Sequence, residues 1–202
     1  MKSNPDIIWL DVAESSNDEA RRAIDSLDNL SVVAVRCQTK GRGQRTNTWE
    51  TAPGQNLTFS VVLKDFEILP KEQIAISQIT ALSVVDFLRM HGIESNIKLP
   101  NDIYVGNKKI CGILIENSIC SNNMKWSIIG VGINVNQTTF PSSLPNPTSI
   151  LLEKDCPELD LEVQMCRFHK IFSSYHHDYV ARRSIDKLAE LDGLFKSNLL
   201  SI

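Results

Sequence analysis

The chain has 202 residues, enough for one domain with a sizeable core, and its 24 acidic against 21 basic residues leave a net charge of −3. That balance excludes a general nucleic-acid binder, so any positive field must be local. Five cysteines without a Cys-x-x-Cys pair exclude a disulfide framework and a zinc ribbon and fit a cytoplasmic setting, and no run reaches the ~18 apolar residues of a membrane span.

Ile7-Ile8-Trp9-Leu10 predicts a short strand. In Ser15-Ser16-Asn17-Asp18-Glu19, Ser16 and Glu19 form a capping box that predicts a helix to about Leu27. These serines either cap only or face a ligand. The apolar run Val32 to Cys37 reads as a buried strand. It leads into Gln38-Thr39-Lys40-Gly41-Arg42-Gly43-Gln44-Arg45, which is glycine-rich and basic. Glycine lets a backbone approach a ligand closely, and guanidinium groups fork onto phosphate or carboxylate. The loop is neither a Walker A nor a G-x-G-x-x-G motif, so an anion site and a solvated basic loop both remain open. Trp49 closes the loop as a core aromatic, and Pro53-Gly54 makes a turn. Asn56 to Leu63 alternates like a half-buried strand. Pro70 suits a first helical residue, Ile74, Ile79, Leu82, Val85 and Leu88 recur at helical spacing, and Gly92 stops the helix. His91 beside that end is read as a favourable cation when protonated.

Ser95 to Lys98 predicts a strand that ends at Leu99-Pro100. Ile103-Tyr104-Val105, Gly106-Asn107 and Lys108 onward have a hairpin signature. In the strand Ile110 to Glu116, Gly112 marks a bulge or a close approach. Trp126 to Val135 is another strand, with Gly130, Gly132 and Asn134 sharing one face, as the floor of a pocket would require. Residues 137–149 read as a loop, Leu151-Leu152 as a short helix, and Leu161 to about Val180 as a helix. Cys166 and His169 in that helix are three apart, but no second ligand pair accompanies them, so no metal site is expected from protein side chains. The tail from Leu188 is ambiguous. The pattern predicts an α+β fold around a mixed, mostly antiparallel sheet flanked by helices. Arg42 and Lys98 are cations at the ends of two predicted strands. Lys98, just before Leu99-Pro100-Asn101-Asp102, is either an anion contact or an exposed edge charge. Cations and glycines without a nucleophile suit nucleotidyl transfer, where catalysis is positioning and charge neutralisation.

Gln38-x-x-Gly41-Arg42-Gly43, Trp49, Lys98-Leu99-Pro100-Asn101-Asp102, Lys109 to Glu116 and Gly130-Val131-Gly132-Ile133-Asn134 form an ordered series that resembles the motifs of biotin–protein ligases, and Ser15-Ser16-Asn17 is similar to that family's Ser-Thr-Asn. The resemblance covers roughly residues 8–180. It implies the biotin/lipoate ligase fold, which is like that of class II aminoacyl-tRNA synthetases. It implies a catalytic domain over 1–187 and, over 188–202, the start of an SH3-like domain. The implied reaction joins biotin to the α-phosphate of ATP, with Mg2+, and passes the biotinyl group to a lysine of a biotin carboxyl carrier protein. By the same resemblance Ser15, Ser16, Asn17, Gln38, Gly41, Arg42, Gly43, Gln44, Lys98, Gly112, Gly130 and Gly132 would bind biotin. Arg42, Arg45, Trp49, Lys98, Asn101 and Asn134 would bind ATP, and Lys98 and Arg42 would be catalytic. Trp9 begins the resemblance with no helix-turn-helix unit before it, which implies no DNA partner, and no membrane partner is implied. A homodimer is left open. The chain departs from the pattern at Gln44 and Thr46, where arginine and glycine are usual. A lipoate–protein ligase and a catalytically impaired biotin-binding module are the alternatives. The lipoate family's Arg-Arg motif followed by His-Asp is absent.

Overall fold

The computed structural model describes residues 6–64, 73–120, 123–182 and 184–200. In chain order the elements are β1 (Ile7–Ala13), α1 (Ser16–Arg22), β2 (Val32–Gln38), β3 (Leu57–Lys64), α2 (Ile74–Met90), β4 (Asn96–Lys98), β5 (Asp102–Val105), β6 (Lys108–Cys120), β7 (Asn123–Ile133), α3 (Ile150–Glu153), α4 (Leu161–His176) and α5 (Ile185–Ser197), with a π-helical turn at His177–Ala181. The strands form one seven-stranded sheet in the order β1-β2-β3-β7-β6-β5-β4. β1 and β2 run parallel and every other neighbouring pair is antiparallel. This is the mixed, mostly antiparallel α+β arrangement expected from the sequence.

The two-residue period of the strands divides the sheet into two unlike faces. Leu57, Phe59, Val61 and Leu63 of β3 and Ile129, Val131 and Ile133 of β7 point into the main core. There they meet α2 and α4, with Phe168 packed edge-on against Phe59 at 4.9 Å and against Phe87 at 6.0 Å. On the opposite face, Val33, Val62 and Ile128 pack with Ala20 of α1 and Leu27 in a smaller cluster. That cluster covers only one end of the face. The other end carries Ser60, Gly130 and Gly132, and it is open.

Several expectations change. β3 is buried on both sides rather than half-buried, because α1 lies over the residues that alternation assigned to solvent. α1 ends at Arg22, not near Leu27. Its N-cap is Ser15, with no side-chain cap, and Ser16 is its first helical residue. α2 ends before Gly92, whose φ of 69° suits glycine, as expected, while Pro70 lies outside the described residues. His91 is less readily a cation at that helix end than expected. Burial outweighs the opposing hydrogen bond with Gln164 and, with a smaller effect from the neighbouring Arg167 charge, lowers its pKa. Cys166 is exposed, whereas His169 is buried with its Nε2 2.9 Å from the Leu30 carbonyl oxygen. Those two side chains do not converge, and no metal-binding cluster occurs among the described residues. The boundary placed at 187 falls inside α5, whose Leu191 is fully buried in the main core. Beyond α5 the chain joins the sheet edge: the Ile97 N–H donates to the Asn198 carbonyl, and the Leu200 N–H donates to the Ile97 carbonyl, both at 2.8 Å.

His176, at the end of α4, is 6% exposed, and its Nε2 has no hydrogen-bond partner among the described residues. Burial, with the adjacent His177, pushes its pKa down to about 4. A depressed histidine favours the fold while it is neutral. Its contribution is therefore complete above the unfolded-state value of about 6.5 and is lost as pH falls toward 4. Denaturation measured across that range should lose up to about 3 kcal/mol attributable to this group. His176→Phe should flatten the profile, and an unchanged acid slope in that variant would assign the loss to other groups.

Candidate active-site cleft

The open end of the sheet is the floor of a cleft of about 340 Å³. Its walls come from four places: Ser15 to Asn17 where β1 turns into α1, the loop after β2, Pro100 to Asp102 entering β5, and the face shared by β6 and β7. The floor is flat because Gly112, Gly130 and Gly132 have no side chains. A Cβ on Gly132 would lie 2.3 Å from Trp49 Cε2, one on Gly130 2.3 Å from Asn17 Oδ1, and one on Gly112 3.1 Å from Trp49 Cζ3. Glycine at these positions thus seats the indole ring and the Asn17 amide directly on the backbone.

One end of the cleft is polar and built from buried side chains. The Ser16 N–H donates to Gln38 Oε1 at 2.8 Å, which leaves the Gln38 amide nitrogen as a donor. Ser60 Oγ lies 2.8 Å from Ser16 Oγ and 2.5 Å from Asn17 Oδ1, and Ser16, Asn17 and Ser60 are all at most 5% exposed. Asn17 Nδ2 donates to Glu116 Oε2 at 2.7 Å. This end offers a donor and an acceptor side by side, a pattern that matches a cyclic amide or urea and does not match a hydrocarbon or disulfide ring.

The loop behind it is pinned at its base. Trp49 N–H donates to the Gly41 carbonyl at 3.0 Å, and a Cβ on Gly41 would meet the Trp49 oxygen at 2.2 Å. Arg42 is bidentate on Glu116, at 3.2 Å and 2.7 Å, and also reaches Asp18 at 2.9 Å. Arg21 approaches the same Glu116 carboxylate at 2.7 Å. Burial alone would raise the Glu116 pKa, but the hydrogen bonds from Asn17, Arg42 and Arg21 outweigh it and hold the group below the ordinary range. Beyond the base, Gly43, Gln44 and Arg45 line the cleft, Arg45 has a φ of 58°, and it has no carboxylate partner among the described residues.

The structure brings together Ser15, Ser16, Asn17, Gln38, Arg42, Gly43, Gln44, Arg45, Trp49, Asn101, Gly112, Gly130 and Gly132. Gly41 stands behind the wall rather than in it. Two expected residues are not among those that line the cleft. Lys98 is exposed at the end of β4, on the side of the sheet that Asp102 and Gly112 share, with its ammonium 4.4 Å from the centre of the Tyr104 ring and 3.3 Å from the Tyr104 hydroxyl. Asn134 is 4% exposed beneath the cleft, where its Nδ2 donates to the Thr148 carbonyl at 2.8 Å. The lysine that does line the cleft is Lys109, paired with Asp102 at 2.7 Å. A bulge explains why alternation hides it. Tyr104 faces Lys109 and Ile103 faces Cys111, so Ile110 is the extra residue, and Lys109 reaches the side of the sheet that Gly112 occupies. Ser60 and Glu116 were missed as well. The former is one hydroxyl in a strand read as structural, and the latter is simply the last residue of a quoted motif.

In comparisons with known proteins, residues 9–134 match the biotin/lipoate A/B protein ligase family. The chain is similar to the bifunctional ligase/repressor BirA of Bacillus subtilis (strain 168), 29% identical over 179 residues that make up 86% of this chain and 54% of the relative. It is also similar to the chloroplastic biotin–protein ligase 1 of Arabidopsis thaliana, 31% identical over 172 residues, 81% of this chain and 46% of the relative. The chain thus spans about half the length of these curated relatives. Among solved structures, the biotin protein ligase from Aquifex aeolicus in complex with biotin and ATP aligns with a TM-score of 0.77 at 24% identity, over 98% of this chain and 79% of that one. The Leishmania major enzyme in complex with biotin aligns with a TM-score of 0.76 at 22% identity, over 98% and 84%. At these identities the structural likeness establishes a common fold.

The seating of Trp49 on bare backbone has a direct test. Gly132→Ala should cost about 1–3 kcal/mol, as expected for overpacking, and shift the tryptophan emission. The same change in a Trp49→Ala background should cost under about 1 kcal/mol. Equal costs in both backgrounds would show that the ring does not rest on Gly132.

Proposed function

The chain belongs to the biotin/lipoate A/B protein ligase family, and from that premise we propose that it activates biotin with ATP as biotinyl-5′-adenylate and transfers the biotinyl group to a lysine of a biotin carboxyl carrier protein. The observation that carries this reading is the polarity of the cleft. Ser16, Asn17, Gln38 and Ser60 form a hydrogen-bonding end suited to a ureido ring, and Lys109 and Arg45 line the same cleft as cations. A lipoate–protein ligase needs an apolar seat for a dithiolane ring, and the buried polar end argues against one.

The chemistry asks two anions to meet. A carboxylate oxygen attacks the α-phosphorus, the bond to the β-phosphate oxygen breaks, and pyrophosphate leaves. Lys109 and Arg45 lower the repulsion between the carboxylate and the phosphate and stabilise charge on the phosphoryl oxygens. The mixed anhydride so formed is hydrolysable, and the loop carrying Gly43 to Arg45 is placed to exclude water from it. In the second step the carrier lysine amine attacks the acyl carbon, loses its proton, and AMP departs. Asp102 in the cleft, and Glu116 and Asp18 behind its wall, are all engaged by cations. Mg2+ would therefore be held chiefly by ATP phosphates, where it neutralises charge, rather than by a protein cage.

Biotin-dependent exchange between pyrophosphate and ATP tests the activity, and exchange supported by lipoate but not biotin would reverse the choice. Transfer of label to a carrier domain separates a ligase from an impaired binding module. Lys109→Ala should lower kcat/KM for exchange by about 10²–10³-fold, whereas Lys98→Ala should change it less than about threefold. A larger loss from Lys98 than from Lys109 would return the anion-binding role to Lys98.

A further inference from the structure

We propose that Glu116 is a positioning residue that sets the hydrogen-bond polarity of the cleft's polar end, through Asn17, Ser60 and Ser16, so that a ligand must donate an N–H to Ser16. This rests on the reading above that the ligand head group is a urea.

Glu116 is bonded by Arg42, Arg21 and Asn17 and is held ionised, so its oxygens only accept. Asn17 must therefore turn its Nδ2 toward Glu116, at 2.7 Å, and its Oδ1 toward Ser60, at 2.5 Å. An amide oxygen cannot donate, and two oxygens 2.5 Å apart repel unless a proton lies between them, so the single Ser60 hydroxyl proton points at Asn17. Ser60 Oγ is also 2.8 Å from Ser16 Oγ, and with its own proton committed it can only accept there. Ser16 thus donates to Ser60 and keeps nothing but lone pairs. Any cleft group that bonds to Ser16 Oγ must be a donor. At 5% exposure or less, these three side chains have their bonds to one another largely shielded from bulk water.

Replacing the carboxylate by a carboxamide breaks the logic without removing the side chain. In Glu116→Gln the group at 116 can donate, only the long 3.4 Å bond to the Leu114 carbonyl still favours the original Asn17 orientation, and with the amide turned the Ser60 and Ser16 protons can reverse.

The probes are biotin and its two cyclic carbamate analogues, in each of which one urea N–H is replaced by a ring oxygen. For the wild-type chain, kcat/KM in pyrophosphate exchange should favour biotin over the worse analogue by about 100-fold, because an acceptor set against an acceptor leaves both unpaired. In Glu116→Gln the ratio should fall to about tenfold or less. Ser60→Ala cuts the relay next to Ser16 while leaving the Glu116 ion pairs in place, and it should relax the ratio in the same way even if Glu116→Gln folds poorly. Asp18→Asn removes another carboxylate from Arg42 but lies outside the relay, and its ratio should match the wild type. If the wild-type chain shows no biotin-dependent exchange, the functional reading falls. If it does, yet Ser60→Ala and Glu116→Gln keep the wild-type ratio, or Asp18→Asn relaxes it equally, the relay is overturned while the function stands.

Discussion

The cleft depends on a close approach between an indole ring, an amide side chain and bare strand backbone. β7 passes beneath Trp49 and Asn17 at the two positions where a methyl group would lie 2.3 Å from each. Contacts that short do not occur between real atoms, so the floor must be glycine for the walls to stand where they do. The opposite face of the same strand carries Ile129, Val131 and Ile133 into the main core. One strand therefore anchors the fold with every second residue and hollows out a binding surface with the residues between. The register of β7 against both β3 and β6 fixes which set faces which way, because a slip of one residue would exchange them.

The cleft is built with its two ends unlike. At the polar end, buried hydroxyl and amide groups satisfy one another and keep a defined set of donors and acceptors for a ligand. At the other, lysine and arginine create a local positive field in a chain whose overall charge is −3. Glu116 stands between the two. It ties α1 and the loop after β2 to β6 through one carboxylate, so groups far apart in the chain share a rigid reference point. Removal of such a group would leave two guanidinium ions and an amide short of a partner, a larger disturbance than the loss of one exposed ion pair.

Much of this was legible in the sequence because the signals were local. The glycines at 130 and 132 fell on one face by simple alternation, the glycine-rich basic loop stood out by composition, and the motif series pointed to a ligase fold. What stayed hidden required contacts or backbone irregularities. Lys98, read either as an anion contact or as an exposed edge charge, lies on the outermost strand with its ammonium over the Tyr104 ring and outside the cleft lining. Lys109 was invisible because counting by twos from Gly112 selects Ile110, and only the bulge at Ile110 turns Lys109 to the cleft. β3 was read as half-buried because no local pattern says that α1 will lie across it. His91 was read as a favourable helix-end cation, and its lowered basicity, like that of His176, comes from burial that the chain's own spacing does not encode.

The loop after β2 shows how two arginines three residues apart come to differ in kind. Arg42 sits at the base, where Thr48 pairs with it across the loop and Glu116 and Asp18 take its guanidinium. With Trp49 bonded to Gly41 just outside that pair, the base is fastened on both strands of the loop. Arg45 is at the tip, inside a turn closed by the Asn47 N–H on the Gln44 carbonyl at 3.1 Å. Its left-handed backbone is strained for a side chain other than glycine. Any movement that brings the loop over a bound ligand is then confined to the tip, since motion of the base would break charge-assisted bonds to Glu116. A cation already paired with two carboxylates has little field left over, whereas Arg45 has no carboxylate partner among the described residues, so the charge of Arg45 is the less spent of the two.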